Sequence, residues 1–301
     1  MHIFIFYAYI SLIAFIKIIY FFLLRKKYKR KRSENDLRII IKKLIIYLTV
    51  LCLVIPFFAS AVSTESYSWY FKPSNNNTQP QVIPEVSGFI DNYNTIYLDK
   101  PDKNKLYLTF DAGYENGNVE KILNILKEKE VPAAFFILPQ IVTKNPELIN
   151  RMKEEGHLVC NHTKTHRDMS KITDFETFKN EIEQSEKILY ETTGYKMDKF
   201  YRPPEGRFSE ANLDFADRLG YTTVFWSLAY ADWDNNNQMN PSRALELITA
   251  RTHNGCVILL HPNSSTNAEI LGAYIDKMKN SGYEFCTLND FERVSNETEE
   301  E

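Results

Sequence analysis

The chain has 301 residues, 44% hydrophobic and 25% charged, a balance that suits one large globular domain with additional segments. Residues 1–62 hold 11 Lys/Arg against 2 Asp/Glu, so the remainder, with 25 against 37, carries a net charge of about −12. A body that acidic argues against nucleic acid, whose phosphates need cations, and favours a neutral ligand or a polymer read by hydrogen bonds.

The chain opens on an apolar run from Ile3 to Leu24, broken only by Lys17 and long enough to cross a bilayer core. Residues 1–24 are therefore predicted as a transmembrane segment and the basic residues 25–43, with "RKKYKRKR", as a cytoplasmic loop. Residues 44–62 read as a second transmembrane segment or a signal peptide, since Lys42 and Lys43 precede them and Ala59-Ser60-Ala61 supplies small residues for cleavage. Either reading exports the body and attaches or delivers it through the membrane. Residues 63–100, with "KPSNNNTQPQVIPE", are an extracytoplasmic linker or strapped-on extension.

From Lys105 the pattern alternates. "KLYLTFD", "PAAFFIL", "HLVCN", "KFYRPP", "YTTVFWSLA", "CVILLH" and "YEFCTLNDF" read as strands. Between them "NVEKILNILKEKE", "NPELINRMKEEG", "FETFKNEIEQSEKILYETTG", "SEANLDFADRLG", "PSRALELITARTHNG" and "NAEILGAYIDKMKNSG" read as helices, several ended by glycine. Such alternation over residues 101–292 means a parallel sheet, either open and doubly wound or closed as a barrel. Residues 293–301 form an acidic tail. Cys52 lies in the second apolar run, and Cys160, Cys256 and Cys286 have no CxxC spacing and read as core thiols.

In both architectures active residues sit at the carboxyl ends of strands. Those ends carry Asp111, His162 with His166, Arg202, Asp232 with Trp233, and His261, each after a different strand. "HTKTH" places two imidazoles four apart, able to share a metal if the segment turns helically, although such a pair is more often two surface histidines. Asp111 could equally cap a turn. Arg202, stiffened by two prolines, can hold a carboxylate ionised, or form a surface ion pair. Trp233 can stack on a sugar or fill a core. A histidine ending an apolar strand is usually satisfied internally, but with a carboxylate partner it becomes a general acid. Together the set points to metal-assisted hydrolysis. Asp111 would activate water, the metal and backbone N–H groups would hold an oxyanion, and His261 would protonate the departing amine.

"TFDAG", "HTKTH", "RPPEG", "ADW" and "LLH", in this order, resemble the five motifs of the polysaccharide deacetylases, carbohydrate esterase family 4. The resemblance spans residues 106–291 and implies a distorted (β/α)7 barrel that removes acetyl from an N-acetylated sugar. It implies Asp111 as base, His162 and His166 as metal ligands, and Arg202 as the partner of Asp111. It further implies the Glu205 N–H at the oxyanion, Asp232 tuning the acid His261, and Trp233 with Leu259 walling the acetyl pocket. The metal would be zinc first, with cobalt, nickel or manganese also compatible.

Two positions depart from the usual motifs: Ala112 replaces a metal-ligating aspartate, and Ala229 replaces the first aspartate of the fourth motif. "GYENG", "RPPEGRFSE", "FWSLAYADWD" and the segment "SWYFKPSNNNTQP" resemble the subgroup that forms muramic δ-lactam in spore cortex peptidoglycan. That subgroup implies deacetylation of N-acetylmuramic acid residues stripped of their stem peptide. The alternatives are a deacetylase of N-acetylglucosamine in peptidoglycan or chitin-like oligomers, and a glycan-binding pseudoenzyme short of a metal ligand. Water, Asn116 or the substrate would take the position that Ala112 leaves.

Overall fold

The structure, a computed structural model, describes Lys42, Lys43 and residues 62–291. Nearly all of the membrane, signal and basic segments, and the acidic tail, lie outside these residues. The chain divides into a unit of residues 1–61 and a unit of residues 62–301, and the second holds every described strand. Among the described residues no helix is long and apolar enough to cross a membrane.

The core is a parallel sheet. Its strands are β1 (Thr95–Ile96), β2 (Lys105–Ala112), β3 (Ala134–Ile137), β4 (Leu158–Asn161), β5 (Asp198–Tyr201), β6 (Thr222–Val224), β7 (Cys256–Leu260) and β8 (Glu284–Phe285). The order is β7-β2-β3-β4-β5-β6-β1, with β8 beside the start of β2. The helices that follow β2 are α1 (Asn118–Glu128), α2 (Pro139–Lys144), α3 (Pro146–Glu154), α4 (Phe175–Thr193), α5 (Glu210–Arg218), α6 (Pro241–Arg251) and α7 (Ser265–Asn280).

Period-two alternation explains why these strands are almost wholly apolar. Leu106, Leu108, Phe110 and Ala112 pack outward with Val119, Ile122, Leu123, Ile270 and Tyr274 of the helices. Tyr107, Ala134, Phe136, Cys160 and Val257 pack on the other face of the sheet. A parallel sheet covered on both faces needs this pattern. The last residue of the inward set on β2 is Asp111, which emerges where the strand ends.

The two ends of the sheet approach each other along an irregular seam. Beyond β6 the Phe225 N–H donates to Ile96 O at 2.7 Å, the Ser227 N–H to Val257 O at 2.9 Å, and the Leu259 N–H to Leu228 O at 2.9 Å. Leu98 bridges Cys256 antiparallel. The predicted strand 221–229 is therefore regular only over Thr222–Val224, because its second half bends to bond both edges. The predicted strand 283–291 shortens to Glu284–Phe285 and ends in a 3-10 turn, Leu288–Asp290. Neither β1 nor α2 is expected from the sequence. Both are short, and Thr95–Ile96 sits inside a segment read as linker.

That segment is anchored. Tyr67–Ser68 pairs antiparallel with Arg207–Phe208, and Trp69 stacks on Phe225 at 4.4 Å. Its indole N–H donates to Trp226 O at 2.8 Å. Ile83, Val86 and Ile90 complete an apolar layer with Phe208 and Leu213. The described cysteines Cys160, Cys256 and Cys286 are buried and free.

Candidate active site

Asp111, His162, Arg202, Asp232 and His261 all stand at the carboxyl ends of the sheet. Arg202 is the largest fully buried side chain. Its guanidinium donates to Asp111 Oδ1 and to Thr109 Oγ1, both at 2.8 Å, and to the carbonyls of Val224 and Phe225. The Phe136 ring lies 4.1 Å beneath it. Burial alone would push the Asp111 carboxyl upward, but Arg202, His162 and His261 together hold it below its ordinary value. It is therefore an anion fixed by one oxygen, with Oδ2 left over.

Oδ2 lies 3.6 Å from His162 Nε2. This is not an ion pair. Burial lowers the His162 pKa to about 4 against the opposing pull of Asp111, so the ring is neutral near pH 7. His162 Nδ1 sits 2.9 Å from the Arg202 carbonyl, which can only accept, so Nδ1 carries the proton and Nε2 the lone pair. Two bare acceptors thus face each other, an arrangement that needs a cation or a water proton between them. The His166 ring stands edge-on to His162 at 5.0 Å between centroids. Among the described residues no group of three or more His, Cys, Asp or Glu gathers as a metal site. Two imidazoles with one correctly set tautomer still fit a divalent ion whose remaining positions go to water and substrate.

The two histidines do not meet through a helical turn, the condition that their spacing alone would set for sharing a metal. The segment is non-helical, and Thr163 (φ 71°) and His166 (φ 55°) adopt left-handed conformations that fold it back. A buried carboxylate supports this loop. Glu181 of α4 accepts from the Thr165 N–H at 3.0 Å and from Thr165 Oγ1 at 2.9 Å, and pairs with Arg167 at 3.3 Å. Sequence reasoning missed Glu181. A signal was present, because it lies on the helix face formed by Phe178, Ile182, Ser185 and Leu189. Changing Glu181 to Ala should strand the Thr165 donors, costing about 1–3 kcal/mol, and weaken about tenfold any divalent ion that the two histidines hold. Thermal melting and a divalent-metal titration measure the two effects, and an unchanged metal affinity would remove Glu181 from the support of this loop.

Across the site, Asp232 accepts from three donors. His261 Nδ1 lies 2.7 Å from Oδ1, while the His261 N–H and Asn267 Nδ2 reach Oδ2 at 2.8 and 2.6 Å. The Tyr230 hydroxyl fixes Asn267 in turn. Burial would lower the His261 pKa, but Asp232, with a contribution from Asp111, raises it above the ordinary value. Its Nε2 is the free end. Asp111 and His261 are close enough that each feels the other's charge.

Glu205 stands in the left-handed conformation at φ 55°, which turns the RPPEG segment sharply. Gly206 (φ 65°) follows, and a Cβ there would lie 2.8 Å from the Trp226 ring and 3.0 Å from Trp69. Only glycine allows this close approach of the 67–72 strap. Leu259 pairs in register with Thr109 on the inner face, two residue pairs below Asp111 and His261. Trp233 is 62% exposed, its ring 6.5 Å from His261 and edge-on to it. Asn116, one candidate for the position that Ala112 leaves, donates to Asn263 O and accepts from the Asn118 N–H, so both its polar atoms are engaged.

A polysaccharide deacetylase family model matches residues 98–224. The chain is 39% identical over 249 residues to an uncharacterised 30.6 kDa protein of the fumA 3′ region of Geobacillus stearothermophilus, spanning 82% of this chain and 93% of that one. It is 38% identical over 232 residues to the peptidoglycan-N-acetylmuramic acid deacetylase PdaA of Bacillus subtilis, spanning 77% and 88%. The solved structure of Bacillus subtilis PdaA, described as a family 4 carbohydrate esterase, matches with a TM-score of 0.73 at 38% identity, over 76% of this chain and 98% of that one.

Proposed function

We propose, from the premise that this chain belongs to the polysaccharide deacetylases of carbohydrate esterase family 4 and is a hydrolase of that family, that it deacetylates N-acetylmuramic acid in peptidoglycan. Its substrate is the glycan strand from which the stem peptide has been removed. The freed amine then closes on the lactyl carboxylate, giving the muramic δ-lactam of spore cortex. The enzyme acts outside the cytoplasm, delivered by its N-terminal segments. Identity to a muramic acid deacetylase over most of both chains supports the substrate. The observation that carries the chemistry is an ionised Asp111 locked by buried Arg202 and set against a protonatable His261 locked by Asp232.

His162 and His166 would hold a divalent ion, zinc before cobalt, nickel or manganese, which when bound would supply the charge that polarises the amide carbonyl and acidifies water. Asp111 takes the proton of the attacking water through its free oxygen, while Arg202 keeps that carboxylate ionised and aimed. The Glu205 N–H donates to the oxyanion of the tetrahedral intermediate. Trp233 and Leu259 enclose the acetyl methyl. Asp232 holds Nδ1 of His261, leaving the Nε2 proton for the departing amine. The C–N bond breaks, acetate and the amino sugar form, the proton taken by Asp111 returns to solvent, and His261 takes a proton back.

The test is acetate release by purified protein with added zinc. Glycan of peptide-free muramic acid residues should be deacetylated at least about tenfold faster, by kcat/KM, than chitin oligomers of equal length. If the peptide-free glycan stays fully acetylated, the reading fails. If chitin oligomers react equally well, the substrate is N-acetylglucosamine.

A further inference from the structure

We infer that Tyr114 is a second aromatic platform of the site, stacking on the sugar ring next to the one that reacts. This rests on the reading of the substrate as a glycan. Tyr114 is 41% exposed on the loop that follows Asp111. Its hydroxyl accepts from Asn235 Nδ2, on the loop of Asp232 and Trp233, and from Asn263 Nδ2 at 2.7 Å, on the loop of His261. Three loops that carry the reacting groups therefore converge on one phenol oxygen. The Asn263 carbonyl is held in turn by the side chains of Asn116 and Asn118, at 2.8 and 3.0 Å.

This network has two consequences. First, an exposed ring is fixed in orientation, so little entropy is lost when a sugar stacks on it. Second, both lone pairs of the hydroxyl are filled by amide donors, which leaves its proton to be given outward. The side chains around it, Asn116, Asn235 and Asn263, are neutral amides, matched to sugar hydroxyls and acetamido groups and not to an ion. Trp233 and Tyr114 are two of the four large exposed apolar side chains among the described residues, and both stand at this end of the sheet.

A pure stapling role for Tyr114 would depend on its hydroxyl, whereas a platform depends on its ring. The experiment uses the zinc-loaded full chain with peptide-free glycan fragments of two, four and six sugars. For wild type, KM should fall as the fragments lengthen. Tyr114→Ala should raise KM for the six-sugar fragment about tenfold, with much less change for two sugars and a smaller effect on kcat. Tyr114→Phe keeps the ring but loses the bonds that orient it, so its KM should rise much less than that of Tyr114→Ala. An unchanged KM in Tyr114→Ala overturns the inference, and so does a Tyr114→Phe variant as impaired as Tyr114→Ala. If wild type releases no acetate from any fragment, it is the functional reading that fails. Titration calorimetry of the six-sugar fragment then decides the role of Tyr114: weaker binding to Tyr114→Ala supports it, and equal affinity overturns it.

Discussion

Replacing Asp111 with Asn should lower kcat by about 10³-fold or more, because the group proposed to take the proton of water would be lost. The same change should destabilise the protein. Arg202 is fully buried, and its formal partner is the Asp111 carboxylate. An asparagine still accepts one hydrogen bond but leaves the guanidinium charge without an anion. Breaking such a pair costs about 3–5 kcal/mol when a partner is removed outright, and the retained hydrogen bond should bring the loss to the lower end. The pH dependence gives a second readout. The Asp111 pKa is held down in the folded protein, so its contribution is present above the ordinary carboxylate value and lost as pH falls through the folded value. Melting curves across the acid range should therefore be flatter for Asp111→Asn than for wild type. An Asp111→Asn variant with more than about a tenth of wild-type kcat would overturn its assignment as base.

How much of this site could be read from the sequence differs from residue to residue. The strand ends were legible because period-two alternation and glycine-ended helices are local signals. Once the strands are known, a parallel sheet brings Asp111, His162, Arg202, Asp232 and His261 to one edge. The pairing of Asp232 with His261 came only from the resemblance to the family, since periodicity does not say which carboxylate meets the histidine. What joins the histidines was not legible. A spacing of four suggests a helical turn, yet the observed loop depends on left-handed Thr163 and His166 and on Glu181, sixteen residues beyond Thr165. Backbone conformation of that kind is set by tertiary contacts. β1 was missed because a two-residue strand inside a Pro- and Asn-rich segment has no period to detect. Ala112 is the reverse case. The sequence marks it as a missing ligand, and the structure adds that the residue packs outward in the apolar layer against the helices.

Asp232 offers the second large effect, and its geometry explains why an isosteric change should be so damaging. The carboxylate accepts from His261 Nδ1, from the His261 N–H and from Asn267 Nδ2. An asparagine has one acceptor oxygen. Turned toward Nδ1, it sets its NH₂ against two donors. Turned the other way, it donates to Nδ1 and forces the wrong tautomer on the imidazole. Asn267 cannot flip to relieve the clash, since its Nδ2 also donates to the His261 carbonyl at 3.0 Å, which can only accept. Asp232→Asn should therefore lower kcat about 10³-fold and also remove the charge that raises the His261 pKa. For wild type, the protonated His261 persists above the ordinary histidine value of about 6.5, and the alkaline limb of the kcat profile follows it. In the variant that limb should move to lower pH. Stability should follow the same sign. The wild-type contribution is complete below the ordinary histidine value and is lost as pH rises through the raised one, whereas the variant should show little of this loss. An alkaline limb that stays in place in Asp232→Asn would show that His261 is not the group that protonates the amine.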